Sequence, residues 1–403
     1  MSRNHFSSVL ILAAGALLAP GLYAGPCDAP SEPVELRIVT YNVKQGLGPV
    51  GSTAWNSVGD MLTTIDEDGD GPNTSLMPDI ICFQELDQQA QSELVVYINT
   101  FLPGYQARTA SGDGFNYNAI VFRPDLTLLG FTNLNTPGPR NVVRCTFEVP
   151  GAAKTLTVYS AHFKCCGDIG SQNTRRAEAD DLGEEIWRDR NIGLDLDNNG
   201  SRETEPGWFV LGGDLNANTL TGDTTLDGVF FYDDQNEPTG VLDLPVESLF
   251  GRISGSFFPN TFQNSSRLDY ICLDEDLAML YDADENGALS ESEINAMGFV
   301  YFSNDNTPEH APGQFANGNS NATSFGSDHR PVVFDMLLPA LPSEPACPGD
   351  VTGDGSVDLA DLNLVLANFG TSPGIGGPGD ANCSGEVDLA DLNLILANFG
   401  CQP

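Results

Sequence analysis

The chain has 403 residues, enough for one large domain and a smaller one. Its 56 acidic residues against 17 basic ones give a formal net charge of −39, which repels polyanions at long range and argues against tight, non-specific nucleic-acid binding. Cleavage of a phosphodiester is not excluded, because bound cations neutralise a site locally.

Residues 1–24 read as an export signal. Arg3 precedes an apolar stretch from Val9 to Leu22, broken by Gly15, Pro20 and Gly21, and Ala24 is the expected cleavage residue. The stretch is short for a membrane span, and a retained anchor is the alternative reading. Pro26 ahead of Cys27 argues against a lipoprotein. The mature chain is therefore expected to be secreted or at the cell surface, with no transmembrane segment. Of nine cysteines, some should then form disulfides. Cys347 and Cys401 could staple the ends of the C-terminal segment. Cys145, Cys165 and Cys166 lie near one another in sequence, while Cys82 and Cys272 fall within apolar runs. Pairing cannot be deduced, and without a Cys-x-x-Cys pair a zinc or redox motif has no support.

Residues 35–338 alternate strand and helix signals, which predicts an α/β domain with its motifs at one rim of the sheets. The predicted strands are Leu36–Asn42, Asp79–Gln84, Ala119–Phe122, Leu156–His162, Trp208–Gly213, Leu268–Leu273 and Val332–Leu337. Arg175–Arg190 has helical spacing through Ala179, Leu182, Ile186 and Trp187. Arg175 and Arg176 there would grip a substrate phosphate or pair with Glu178 and Asp180. Asp66–Met77 and Asp195–Pro206 are weak calcium-loop matches, because Met77 and Pro206 at position 12 cannot chelate through side chains; plain turns are the favoured reading and partial calcium binding the alternative. A full twelve-residue match runs from Asp282 through Asp284, Asn286, Gly287, Ala288 (by its carbonyl) and Ser290 to Glu293, with helix-like sequence on both sides.

Residues 339–346 form a Pro-rich linker. Beyond it, Val357–Gly370 and Val387–Gly400 are nearly one string twice, which implies two copies of a loop-helix unit packed on each other. Each copy opens with carboxylates and hydroxyls around a glycine. The first has Asp350, Thr352, Asp354, Gly355, Asp358 and Asp361; the second has Asp380, Asn382, Ser384, Gly385, Asp388 and Asp391. The glycine permits the sharp bend that lets nearby oxygens converge on one hard ion. Asp rather than Glu at position 12, in tandem half-hands, resembles the type I dockerin module over residues 347–403. The resemblance implies a small all-α module that binds Ca²⁺ and docks on a cohesin-like partner. Leu359-Ala360 and Leu389-Ala390 stand where hydroxylated residues usually help set that partner, which puts a cellulosomal cohesin in doubt.

Six polar motifs sit at or near the ends of apolar runs: Thr40-Tyr41-Asn42-Val43, Phe83-Gln84-Glu85, Ser160-Ala161-His162-Phe163, Gly212-Gly213-Asp214-Leu215-Asn216, Arg267-Leu268-Asp269-Tyr270 and Ser327-Asp328-His329-Arg330. Carboxylates, amides and histidines are what phosphate-ester hydrolysis by a hard divalent cation requires. His162 and His329 are two of three histidines left after export; the third, His310, lies in a Gly/Asn/Pro-rich insertion. In this order the motifs resemble the endonuclease/exonuclease/phosphatase superfamily over residues 36–338.

That resemblance implies a two-layer β-sandwich flanked by helices, and it assigns roles. Glu85, with Asn42 beside it, would hold Mg²⁺ or Mn²⁺. Asp214 and Asn216 would lie across the phosphate, with Asp214 orienting or deprotonating water. His329, its ring held by Asp269, would be the acid/base. Asp328 would complete the metal and water shell, and His162 would donate to a non-bridging oxygen. Asp87 stands where pancreatic-type deoxyribonucleases carry a minor-groove arginine, which argues against that mode of reading DNA. The residue supporting His162 is open among Asn116, Asn118 and Asp113. The expected function is a secreted phosphodiesterase acting on nucleic acid or a related phosphate ester. The alternatives are a sphingomyelinase-type lipid phosphodiesterase, for which Phe257-Phe258 would be a membrane-seeking loop, and a non-catalytic calcium-binding surface protein.

Overall fold

The computed structural model describes residues 33–341 and 347–402, apart from 45–46, 64–75, 88–89, 111–113, 115, 197–198, 203, 233–236, 248–258, 263–265, 302–326 and 375. The export signal, Asp113, Phe257-Phe258, His310, most of the Pro-rich linker and most of the 66–77 loop lie outside the described residues. The chain divides into a large unit, Glu32–Leu341, and a second that contains Pro342–Pro403. Among the described residues, no helix is long and apolar enough to cross a membrane.

The large unit lays down β1 (Val34–Asn42), helix α1 (Thr53–Thr63), β2 (Ile80–Asp87), α2 (Ala90–Phe101), β3 (Gln106–Thr109) and β4 (Asn116–Phe122). Next come β5 (Thr127–Leu134), β6 (Val142–Glu148), β7 (Leu156–His162), the long helix α3 (Ile169–Asn191) and β8 (Trp208–Asp214). After the short α4 (Asp227–Phe230) and the two-residue strands β9 (Phe231–Tyr232) and β10 (Glu237–Pro238) come β11 (Val241–Asp243), β12 (Asp269–Asp274), α5 (Glu275–Ala278), α6 (Glu291–Met297), β13 (Gly298–Val300) and β14 (Val332–Leu338).

Two six-stranded mixed sheets result. Their orders are β13-β14-β1-β2-β4-β3 and β11-β12-β8-β7-β6-β5. Each holds one parallel pair near its middle, β1 with β2 and β7 with β8. Inner faces meet through Ile38, Ile80, Phe122, Phe147, Val158, Val210, Ile271 and Phe334, all buried. Burying such a side chain contributes about 1.5–3 kcal/mol each. The outer face of the first sheet packs on α1 and α2 through Trp55, Tyr97, Phe83 and Val121. The outer face of the second packs on α3 through Ala179, Leu182, Ile186, Tyr159 and Phe209. Helix, sheet, sheet and helix therefore form four layers, in line with the sandwich implied by the resemblance.

Near one rim the sheets approach too closely for side chains on one strand. A Cβ on Gly212 would stand 3.1 Å from Cys82 Sγ in the facing sheet, and one on Gly213 would stand 2.1 Å from the carbonyl of Ala161, its neighbour on β7 of the same sheet. A polar rivet crosses the gap there. Thr40 Oγ1 donates to Gln84 Oε1 at 3.2 Å, and Gln84 Nε2 donates to Ser160 Oγ at 3.2 Å, all buried.

The C-terminal unit contains α7 (Leu359–Asn368) and α8 (Leu389–Asn398). Its small core is Val351, Val357, Val365, Ala381, Val387 and Ile395, closed by the Cys347–Cys401 disulfide. The repeats clasp each other reciprocally. Gly370 N donates to Val387 O and Gly400 N to Val357 O, both at 2.8 Å.

Candidate active site

Parallel pairing brings the carboxyl ends of β1 and β2 together in one sheet, and those of β7 and β8 together in the other. Asn42 stands opposite Gln84, and His162 opposite Asp214. The antiparallel neighbour β12 starts at the same level, with Asp269 opposite Asp214. Glu85 leaves the ladder through a register shift between Phe83 and Leu86, and takes a left-handed φ of 57°. A bulge re-aims a side chain in this way, at a local backbone cost of about 1–3 kcal/mol.

The side chains then converge. Asn42 Nδ2 donates to Asp214 Oδ2 at 2.9 Å and to Glu85 Oε1 at 3.2 Å. His162 Nε2 lies 3.5 Å from Asp214 Oδ2 and 3.8 Å from Glu85 Oε1. On the other side of Asp214, His329 Nε2 is 3.8 Å from the same Oδ2, and its Nδ1 meets Asp269 Oδ2 at 2.8 Å. Asp214 is thus shared by two groups of ligand-type atoms, Glu85–His162–Asp214 and Asp214–Asp269–His329, each within 4.8 Å. Ser327 pins the His329 loop to β1: its Oγ donates to Asn42 O at 2.6 Å and accepts from His329 N at 3.1 Å. Arg267 fixes the approach to Asp269 by donating to both oxygens of Asp243 at 2.8 and 2.6 Å.

Burial sets unusual protonation. It pushes the Asp214 carboxyl up to about 7, helped by the Asp269 charge and opposed by His329. For His329, burial favours the neutral ring, but the Asp269 and Asp214 carboxylates outweigh it and raise the imidazolium to about 10. His162 is held well below the ordinary histidine range by burial and by the nearby Arg140 charge. The acid/base pair at this site is therefore a carboxyl that titrates near neutrality and a histidine that stays charged there.

The profile of the Endonuclease/Exonuclease/phosphatase family matches residues 39–329. The chain belongs to this family. It is a metal-dependent hydrolase of phosphate esters. Among solved structures, the catalytic domain of human Nocturnin with bound sulfate is similar at 17% identity, covering 75% of this chain and 94% of that one, with a TM-score of 0.45. TDP2 from D. rerio with a single-strand DNA product is similar at 16% identity over 75% and 98%, with a TM-score of 0.41. A family protein from Bacteroides vulgatus is similar at 15% over 76% and 99%, with a TM-score of 0.43. No curated protein matches the sequence.

The donor set fits the family's hard divalent cation. Glu85 and Asp214 both accept from Asn42 Nδ2, and Glu85 offers its carboxylate to the ion 3.8 Å from the His162 ring. Asn42 meets them with its nitrogen, because its Oδ1 accepts from Lys44 N at 2.9 Å. Asp328 turns to Lys44, whose Nζ is 3.2 Å from Oδ2. Asn216, at a left-handed φ of 53°, caps Asp214 through its backbone N and bonds Phe163 O through Nδ2. Of the sequence candidates behind His162, Asn118 bonds Asn141 O through Nδ2, and Asn118 Oδ1 and His162 Nδ1 are both buried without a partner.

Arg175 is turned inward, and the carboxylate it meets is Asp223, at 3.5 Å, in place of the Glu178 or Asp180 expected. It is buried and donates to Thr225 Oγ1, Lys164 O and Cys166 O. Sequence reasoning also missed Lys44 and Arg140. Arg140 donates to the carbonyls of His162 and Phe163 at 3.0 and 2.8 Å. No local pattern marks it, since the contact spans more than twenty positions.

The loop predicted as a full EF-hand match gathers Asp282, Asp284 and Glu293 within 4.8 Å. Asp282 accepts from Asn286 N and Gly287 N, Asn286 Oδ1 accepts from Ala288 N, and Ser290 with Glu293 forms a capping box on α6. In the C-terminal loops, Asp350 accepts from Gly353 N and Gly355 N, and Thr352 Oγ1 donates to Asp361. Asp354 accepts from Ser356 N. In the second loop Asp380 accepts from Ser384 N and Gly385 N, and Asn382 Oδ1 also accepts from Ser384 N. Asp358 with Asp361, and Asp388 with Asp391, form capping boxes on α7 and α8.

Proposed function

We propose that this chain is a secreted phosphodiesterase that hydrolyses nucleic acid or a related extracellular phosphate ester, tethered by a calcium-binding, dockerin-like C-terminal module. The sharing of Asp214 between the Glu85–His162 cluster and the His329–Asp269 pair carries the catalytic part of this reading. A Mg²⁺ or Mn²⁺ ion held by Glu85, with Asn42 beside it, would supply Lewis-acid polarisation of a phosphoryl oxygen. Asp214 accepts the proton of the attacking water, which its titration near neutrality suits. His329, kept charged by Asp269, faces the growing negative charge and returns a proton to the departing oxygen. Neutral His162 donates from Nε2 to a non-bridging oxygen. Asp328 acts at the mouth of the site through Lys44 and the water shell, and Asn216 holds the Asp214 carboxylate in place. Asp87 beside this site supports a substrate met without the minor-groove arginine of deoxyribonucleases.

The calcium part rests on the oxygens gathered at 282–293 and on the paired loops ahead of α7 and α8; a cohesin-like partner is proposed for that module. The deciding experiment is a panel of single-stranded DNA, duplex DNA, RNA, sphingomyelin and inositol phosphates with magnesium, run on the wild type and H329A. Loss of about 10²–10⁴-fold in kcat/KM for the preferred substrate is expected. Undiminished hydrolysis by H329A would discard the site. Chelation followed by separate repletion should return activity with magnesium and thermal stability with calcium.

A further inference from the structure

We propose that Cys165 and Cys166 form a reversible dithiol–disulfide site, oxidised by a small-molecule disulfide of the glutathione type, whose state repositions His162. The two sulfurs lie 2.9 Å apart, with Cys165 half-buried and Cys166 exposed. The other described cysteines with free thiols, Cys82, Cys145 and Cys272, are buried. Burial keeps those three out of reach of a small-molecule oxidant. Neighbouring Cα atoms across a trans peptide are about 3.8 Å apart, less than the roughly 4.4 Å at which ordinary disulfides begin. A bond between adjacent residues is therefore strained, and strained or exposed disulfides are the readily reversible ones.

The pair is wired to the site through the backbone. Cys166 takes a left-handed φ of 87°, an expensive conformation that persists only where its surroundings enforce it. Those surroundings grip consecutive residues. Arg140 holds the carbonyls of His162 and Phe163, and Asn216 also holds Phe163 O. Arg175 Nη1 holds Lys164 O at 2.8 Å and Cys166 O at 3.2 Å, and Glu178 Oε2 accepts from Lys164 N at 2.7 Å. Arg140, Arg175 and Glu178 are buried. Closing the S–S bond alters the backbone at Cys165–Cys166, and only Phe163 and Lys164 separate that pair from His162.

In the oxidation, the Cys166 thiolate attacks one sulfur of the small disulfide and expels one thiolate. The Cys165 thiolate then attacks Cys166 Sγ, and a second thiolate leaves. One S–S bond forms in the protein and one breaks in the oxidant, so two cysteine thiols are oxidised and two small thiols are produced, each carrying one of the released protons. Closure draws the sulfurs to about 2.05 Å.

The test uses the full-length chain equilibrated in oxidised against reduced glutathione. Peptide mapping should show that the segment with both cysteines loses two hydrogens and resists alkylation, and that C165S traps Cys166 as a mixed disulfide with glutathione. In histidine-labelled protein, the His162 ring resonance should shift between redox states in the wild type and stay still in C165A/C166A. Two thiols that remain alkylatable across the whole glutathione range would overturn the proposal, and so would a disulfide that leaves His162 unmoved. Its bearing on turnover rests on the phosphodiesterase reading: a several-fold change in kcat between redox states is expected, absent in C165A/C166A. An unchanged kcat in an active wild type would remove the coupling. No hydrolysis in either state, with mass and resonance still responding, would count against the phosphodiesterase reading and leave the redox site standing.

Discussion

His329 leans on Asp269 through Nδ1, whereas the Nδ1 of His162 is buried with no partner and Arg140 holds its backbone instead. Both rings point Nε2 at the same Asp214 oxygen, at 3.8 and 3.5 Å. One is charged at neutral pH and the other is not. Two histidines of one site are thereby given different work, one to carry charge and a proton, the other to donate a hydrogen bond. What differs is the partner behind each ring rather than the ring itself.

The comparison breaks most completely where the two halves meet. D214N should lower kcat/KM by about 10⁴-fold, because one substitution removes both the base and the carboxylate that both rings face. Next, D269N should cost about 10–100-fold by releasing the His329 ring, and NMR titration should show that ring losing its proton at lower pH than in the wild type. H162A should cost about 10²-fold in kcat with little change in the pH profile, since the donor it removes does not titrate near neutrality. The smallest effect is expected for R140Q, a loss of several-fold accompanied by a His162 ring that protonates more readily.

The pH dependence of the wild type sharpens the same contrast. Activity should rise as Asp214 ionises, at or below its metal-free value of about 7 because a bound dication favours the carboxylate, and fall as pH approaches about 10, where His329 loses its proton. Stability without added metal follows the same two groups. His329 has a folded value above its ordinary 6.5, so its pairing stabilises fully below that pH and is lost as pH rises through about 10. Asp214 is also raised, from 3.8, so burial of its neutral form favours the fold at low pH and ceases to do so as pH climbs through about 7. A fall in Tm between pH 5 and 8 that D214N lacks would establish the second effect.

The strands that carry the motifs were legible because each is an apolar run ending in a polar group; β7 has the predicted bounds and β8 differs by one residue. Strand β6 was not. Arg144 interrupts it, and only the fold shows that this arginine is buried between Asp189 and Glu185 from α3. The start of α3 was also missed, because Asp168 caps it seven residues ahead of the charged stretch whose spacing reads as helix. Glu85 was legible as a residue but not as a bulge, since nothing about glutamate announces a positive φ. Lys44, Arg140 and Glu178 act on groups that only folding brings near, and Arg175 reads as a surface cation until its carbonyl partners are seen.

The Thr40–Gln84–Ser160 rivet has a consequence for ion choice. It ties the sheet bearing Glu85 to the sheet bearing Asp214 and His162. The gap those side chains span is therefore set by interior packing rather than by whichever cation enters it. A frame of that kind selects by ionic radius, and shortening Gln84 to Asn should blunt the preference for small dications over calcium.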